Sequence, residues 1–466
     1  MAFNDDNFML TSDAAKKLYG FAKDMPIYDF HCHLDPQAIY EDKPYENIVD
    51  LWLDGDHYKW RLMRANGVPE NLITSGEKKE RFRVWIETVS RAFGNPLYHW
   101  SHLELRDVFG IDEVIKPENW ESLYDRLNAI LAERKISPRS LLKHSDVRFV
   151  GTTDHPLDDL TWHEKIATDD TIDVVVAPTF RPDEAFVSHV NFASFAGKLA
   201  EKTGLGIRSF SDFVSAMEIR IQYFVAHGCQ ASDISFGAVQ YQDTTEEELD
   251  AILTKALAGA TLTDDEASAW QSGIFLALCK LYHKYQLVTQ VHFGAVRNSH
   301  SRLFKQLGAD AGFDSMGDQI DLAKHLNHFL DALAQSDSLP KMVWYPLNPV
   351  YNAVVANTVA NFQANNAGIK GQLQFGAGWW FNDTKLGMQD QMNHYADQGI
   401  LANFIGMLTD SRSFMSFQRH DYFRRILASY IGQWVADEEI PDDDELLKPL
   451  MEDIAYNNAK AFFKSA

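Results

Sequence analysis

A chain of 466 residues with 45% hydrophobic and 23% charged residues has the make-up of an ordinary globular protein, long enough for one large catalytic domain with insertions. Its formal net charge of −23 excludes nucleic acid and anionic membrane surfaces as partners, because both require a basic footprint. The same charge repels an anionic substrate at long range, so such a substrate must be captured by arginines placed at the site.

No apolar run approaches the roughly 18 residues of a membrane span. The start Met1-Ala2-Phe3-Asn4-Asp5-Asp6 is acidic where a signal peptide is basic. Cys32, Cys229 and Cys279 are too few and too scattered for a disulfide framework. A cytoplasmic protein is expected.

Residues 10–24 read as a short helix capped by Thr11 or Ser12. A buried strand follows over 27–34. Side chains alternate along a strand, so His31 and His33 share a face about 7 Å apart, while Tyr28, Phe30, Cys32 and Leu34 turn to apolar packing. Two imidazoles so placed can reach one divalent metal with bonds of about 2.0–2.1 Å. In a chain with 17 histidines such a pair also arises by chance, and it gains weight only from the rest of the sequence.

From Pro36 the texture changes to charged, aromatic-rich amphipathic helices, with Trp120, Leu123, Tyr124, Leu127, Ile130 and Leu131 at helical spacing. The chain therefore divides into 1–35 (N-terminal helix and first strand), 36–140 (helical insertion) and 141–466. In the last part strands are expected at 147–153, 172–179, 234–239, 287–293, 342–347, 373–377 and 404–409, separated by helices. One two-helix excursion spans 243–285, with Thr263 and Glu266 spaced as a capping box. After Asp410 come closing helices, ending with 446–463. Eight strands alternating with helices point to an α/β fold, a (β/α)8 TIM-type barrel with a large helical insertion after strand 1. A doubly wound sheet is the alternative, but no Gly-x-Gly-x-x-Gly follows an early strand.

Chemistry in such a barrel gathers where the strands end. Those ends carry His31 and His33; Thr152-Thr153-Asp154-His155; Thr179-Phe180-Arg181-Pro182-Asp183; His292; Trp379 and Trp380; and Asp410-Ser411-Arg412. So many polar groups in one mouth are hard to explain structurally.

A His-x-His on strand one, a His on strand five and an Asp ending strand eight resemble the amidohydrolase superfamily of metal-dependent barrels. Within it the chain resembles the uronate isomerase (glucuronate isomerase) family nearly end to end. The likeness rests on Asp29-Phe30-His31-Cys32-His33-Leu34, Asp56-His57-Tyr58-Lys59-Trp60-Arg61, Thr179-Phe180-Arg181-Pro182-Asp183, His292-Phe293-Gly294-Ala295 with Arg297-Asn298, Gly378-Trp379-Trp380-Phe381-Asn382, and Leu408-Thr409-Asp410-Ser411-Arg412-Ser413-Phe414. Two departures stand out. His155 replaces the second Asp of the family's Thr-Thr-Asp-Asp-Pro, and Ser232-Asp233-Ile234-Ser235 replaces its Ser-Asp-His-Gly, which leaves the role of Asp233 open.

The resemblance implies aldose–ketose isomerisation of a hexuronate, D-glucuronate to D-fructuronate and D-galacturonate to D-tagaturonate, without a nucleotide cofactor. The alternative is a mononuclear metal-dependent hydrolase of the same superfamily. The binuclear hydrolases use a strand-four lysine and a strand-six histidine, both missing here, so one metal is expected. Its ligands would be His31, His33 and Asp410, with Zn2+ the first choice and Mn2+ the second. Asp410 is the expected base, acting directly or through metal-bound water, with Tyr58 as donor and His292 at the reacting centre as a weaker ligand candidate or a substrate contact. Arg181, Arg412, His57 and Trp379 are expected to hold the substrate, the arginines gripping its carboxylate. By fold-level analogy the chain is also expected to self-associate.

Overall fold

The computed structural model describes residues 3–363 and 368–463. Its barrel strands are β1 (Ile27–Asp29), β2 (Val147–Gly151), β3 (Val175–Ala177), β4 (Thr179–Phe180), β5 (Ala231–Phe236) and β6 (Val288–Phe293), then β9 (Met342–Pro346) and β10 (Leu373–Phe375). A small antiparallel hairpin, β7 (Ala295–Val296) with β8 (Ser315–Met316), rises from the end of β6. All barrel pairings are parallel, in two arcs of order β1-β2-β3 and β4-β5-β6-β9-β10. The arcs meet at Pro178, which has no N–H for the ladder. An isolated bridge between Asp154 and Phe180 carries the pairing past it. With helices outside each strand connection, this is the (β/α)8 architecture that the sequence leads one to expect.

The third strand starts at Val175 rather than 172 and is split at Pro178, and three further differences from expectation bear on the site. The first strand ends at Asp29, so His31 and His33 sit just beyond it, with a bend at His31. The fourth strand runs over Ala231–Phe236 rather than 234–239. Its polar start, Ala231-Ser232-Asp233, hides the strand: Asp233 faces the barrel interior and bonds Arg181 and His292 rather than packing in an apolar layer, while Ser232 points to the opposite face.

The eighth strand is the third difference. Residues 404–409 form no ladder, and side chains take the backbone carbonyls where that strand would begin. Asn458 Nδ2 donates to the carbonyls of Ala402 (2.7 Å) and Phe404 (2.9 Å), and Gln374 Nε2 to that of Asn403 (3.0 Å). Gly406 turns the chain at φ +77, where a Cβ would lie 2.1 Å from the Ile454 carbonyl oxygen, so only glycine fits.

The barrel closes through Asp29 instead. Its fully buried carboxylate accepts from Thr409 N (2.8 Å) and Thr409 Oγ1 (2.6 Å). Two backbone bonds follow, Asp410 N to His31 O (3.1 Å) and His33 N to Ser411 O (2.9 Å). They lock the His-x-His segment to the segment bearing Asp410. Packing beneath is aromatic: Tyr28 stacks on Phe149 at 4.2 Å and Phe30 on Phe463 at 4.7 Å. Each such buried ring contributes about 1.5–3 kcal/mol.

Between β1 and β2 the chain is helical, from Pro36–Glu41 to Pro138–His144. The stripe expected around Leu123 is present, with Leu123, Leu127 and Leu131 buried in helix Trp120–Arg134. Helix His57–Ala65 matters most for the site. Asp56 caps it, accepting from Tyr58 N and Lys59 N at 3.1 Å each, which sets His57 and Tyr58 at its first turn. From the same helix Arg61 Nη1 donates to Asp314 O (2.8 Å) and Arg64 to Ala311 O, fastening the insertion to the loop beyond β6. The expected capping box is also formed, with Glu266 N donating to Thr263 Oγ1 (3.2 Å) and Thr263 N to Glu266 Oε2 (2.7 Å). Among the described residues no helix is long and apolar enough to cross a membrane.

Candidate active site

A cavity of about 610 Å3 opens at the ends of the barrel strands. All nine side chains singled out in the sequence line it: His31, His33, His57, Tyr58, Arg181, His292, Trp379, Asp410 and Arg412. His155 does not; it lies outside and faces Glu184 at 3.1 Å.

At the cavity floor Asp410 Oδ1 lies 3.1 Å from His33 Nε2 and 3.3 Å from His31 Nε2. Trp379 Nε1 donates to Asp410 Oδ2 at 2.8 Å. Asp410 adopts φ +45, a left-handed conformation that costs an L-residue about 1–3 kcal/mol. The two flanking bonds to the His-x-His segment hold it there and aim its carboxylate at both imidazoles. Burial opposes the charge on Asp410, but His31 and His33 hold the carboxyl well below the usual range. Burial pushes His33, His57 and His292 down, favouring neutral imidazoles, whereas at His31 burial is outweighed by the Asp233 and Asp410 carboxylates, which push it up.

These atoms fit a divalent metal. Ligands about 2.0–2.1 Å from a tetrahedral centre stand about 3.3–3.4 Å apart, close to the separations found here. Two imidazoles and an ionised carboxylate are also the donor set that zinc-like ions take, with His31 giving up its proton on binding. His292 and Asp233 gather around His31 as well, with ligand atoms within 4.8 Å of one another. Their mutual bond, His292 Nδ1 to Asp233 Oδ1 at 2.7 Å, makes them less available as ligands. It leaves His292 Nε2 as a buried acceptor without a partner. Tyr345 stacks on the His292 ring at 4.4 Å, and fits only because position 376 is glycine: a Cβ there would stand 2.1 Å from Tyr345 Cε1.

Asp233 is the residue that sequence reasoning left open. It is fully buried in β5 and accepts from His292 Nδ1 and from Arg181 Nη1 (2.8 Å). Burial raises its proton affinity, but Arg181, His292 and His31 outweigh that and hold the carboxyl far below its usual range. Arg181 also donates from Nε to Asp183 (2.8 Å). Its loop is braced by Asp154, whose Oδ2 accepts from Thr152 Oγ1 (2.7 Å) and Thr179 N (3.0 Å), while its carbonyl accepts from Arg181 N (3.0 Å). Arg412 is more open and reaches Asp310 at 3.4 Å. A third arginine, Arg297, stacks 4.7 Å over Trp380 and faces Asp314 at 3.5 Å. In the sequence its signals are its place after the strand-five histidine and its part in the motif shared with the family, and neither assigns it a role.

Comparison with known proteins gives a consistent result. Residues 1–463 match the family described as glucuronate isomerase. A uronate isomerase of Streptococcus pneumoniae is 60% identical over 465 residues, covering 100% of both chains. The solved structure of a uronate isomerase from Thermotoga maritima superposes with a TM-score of 0.93, at 33% identity over 100% of both chains. That of glucuronate isomerase from Caulobacter crescentus gives 0.89 at 25% identity, over 99% of this chain and 96% of the other.

Proposed function

The chain belongs to the glucuronate isomerase family, and from that premise we propose how its cavity interconverts an aldohexuronate and a ketohexuronate. The enzyme is a uronate isomerase, and its chemistry is internal to the sugar. The hydrogen on C2 moves to C1, the C2 hydroxyl loses its proton and the aldehyde oxygen gains one, so neither NAD nor ATP is consumed. D-Glucuronate to D-fructuronate and D-galacturonate to D-tagaturonate are the proposed reactions.

Asp410 takes the proton from C2 and returns it to C1. Its depressed proton affinity keeps it ionised for the first half, and the Trp379 N–H fixes Oδ2 while leaving a lone pair free. When bound by His31, His33 and Asp410, one divalent cation, Zn2+ in this reading with Mn2+ the alternative, adds Lewis-acid stabilisation of the enediolate. Tyr58 donates to the sugar oxygens, and burial keeps its phenol protonated, as a donor requires. His292 offers its unpartnered Nε2 toward the same region. Arg412 and Arg181 hold the carboxylate, with His57 and Trp379 as walls of the subsite.

The observation that carries this reading is the convergence of His31, His33 and Asp410 in a cavity whose other walls supply arginines for a carboxylate. The hydrolase alternative is not favoured, since the full-length relatives are uronate isomerases. Initial rates of ketose formation from glucuronate and galacturonate test the proposal directly. A metal-replete preparation inactive on both would overturn it.

A further inference from the structure

Behind Tyr58, away from His31 and His33, lies a second chamber of about 230 Å3. Tyr58, Trp100, Trp380 and Asp383 share its wall. Asp383 and Arg419 meet beside it, and neither belongs to the site described above. Arg419 is 3% exposed in its side chain and wedged between two rings, its Cζ 4.2 Å from the Trp100 ring centre and 5.3 Å from that of Tyr58. Its Nη1 donates to Thr409 O (2.8 Å) and faces Asp383 Oδ2 at 3.5 Å. Two buried atoms here have no partner, Arg419 Nε and Asp383 Oδ1. A pair so enclosed, with unused hydrogen-bonding capacity beside a chamber, is expensive as mere structure.

We infer that Asp383, acting through Arg419, is a positioning residue that sets how readily Tyr58 gives up its phenolic proton. The inference rests on the reading of Tyr58 as the donor to the sugar oxygens. Burial makes Tyr58 a weak acid, and Asp410, Asp383 and Asp56 add to that; Arg419 is the cation that works against them. How much of its charge Tyr58 feels depends on Asp383. A neutral Asp383 leaves the guanidinium uncompensated, whereas an ionised one at 3.5 Å offsets it. Other charged groups face the pair, but they are spoken for. Asp56 is tied to Lys59 at 3.0 Å, Glu104 receives the Trp52 indole N–H, and Asp410 is held by its imidazoles. Tyr422, also nearby, stays protonated because of burial. Burial pushes Asp383 itself up to about 7, so both of its forms are populated near neutrality. Raising the pH through that value should therefore weaken Tyr58 as a donor.

The experiment is the pH dependence of kcat and KM on glucuronate. In the unmodified enzyme kcat should fall about three- to tenfold through an inflection near neutrality, with KM little changed. Asp383→Asn should remove that inflection and keep the upper plateau at all pH values. Arg419→Gln should lower kcat about tenfold throughout, with partial recovery in Arg419→Lys. An inflection that persists unchanged in Asp383→Asn would overturn the inference. So would its absence from the unmodified enzyme, a measurement that needs no variant to fold. Tyr58→Phe separates the two levels: full activity there would refute the donor role of Tyr58, and the inference with it. An inactive Tyr58→Phe beside an unaltered Asp383→Asn profile would sink the inference alone.

Discussion

Asp233→Asn is the substitution on which the site's internal logic can be tested most sharply. A carboxylate accepts hydrogen bonds on both oxygens, and Asp233 uses one for Arg181 Nη1 (2.8 Å) and the other for His292 Nδ1 (2.7 Å). An amide of the same shape has one acceptor and one donor end. Arg181 can only donate, so the amide oxygen must turn to it and the NH2 to His292. That forces the imidazole proton from Nδ1 to Nε2, turning the free acceptor in the cavity into a donor. Two charge-assisted bonds also become ordinary ones, at about 1 kcal/mol each, so unfolding free energy should fall by about 2 kcal/mol at pH 7. The deficit depends on pH in a defined direction. The folded pKa of Asp233 is depressed, so its contribution is complete above the unfolded value of about 3.9 and is lost as pH falls through the folded one. Activity should suffer more than stability, with kcat/KM reduced about 10²- to 10⁴-fold through the wrong tautomer. Initial rates, denaturant unfolding and the 15N shifts of His292 read these effects separately. A variant with the reversed tautomer and kcat/KM within about twofold of the parent would refute the reasoning.

Arg412→Lys keeps the charge but loses the planar fork, and should cost about 10- to 150-fold in kcat/KM with metal content unchanged; equal activity would mean the carboxylate is held elsewhere. Chelation followed by dialysis should abolish activity and lower the thermal midpoint, both restored by about one equivalent of Zn2+ per chain. Two equivalents by elemental analysis of active enzyme would overturn the single-site reading. Gly406→Ala should destabilise the fold by at least about 2 kcal/mol in denaturant unfolding, because of the positive φ and the blocked space beside Ile454 O. A neutral result would show that the eighth segment can rearrange without disturbing Asp410.

The barrel was legible because parallel strands covered on both faces are written as short apolar runs, and Val147, Leu287, Met342 and Leu373 each open or adjoin one. Where legibility failed, a polar side chain had taken over a strand's usual work. Asp233 faces the interior and Ser232 the opposite side, and two polar residues in succession disguised the start of β5. Asn458 and Gln374 satisfy the carbonyls at 402–404, where the eighth ladder would begin. Asp29 was visible as a carboxylate inside an apolar run, and a buried charge there demands partners. Which partners it has is a tertiary fact, since Thr409 lies 380 residues away. The site followed the same rule. His31, His33 and Asp410 stood out by residue type, whereas Asp233 and Arg297 act through neighbours that only the fold supplies.

Net charge and site chemistry meet in how the arginines are kept. Within a chain of formal charge −23, Arg181 is shared by Asp233 and Asp183, Arg297 faces Asp314, and Arg412 reaches Asp310. If these arginines hold the carboxylate as proposed, a uronate binds by exchanging partners rather than by meeting bare cations. Exchange is cheap where the existing pair is loose and wet, and costly where it is tight and buried. At 3.4 Å, with both side chains well exposed, the Arg412 pair is of the first kind; Arg181, bonded at 2.8 Å to a carboxylate without solvent contact, is of the second. The substrate carboxylate should accordingly take Arg412 from Asp310 first, leaving Arg181 anchored to Asp233 and free to offer only its remaining N–H groups to the sugar.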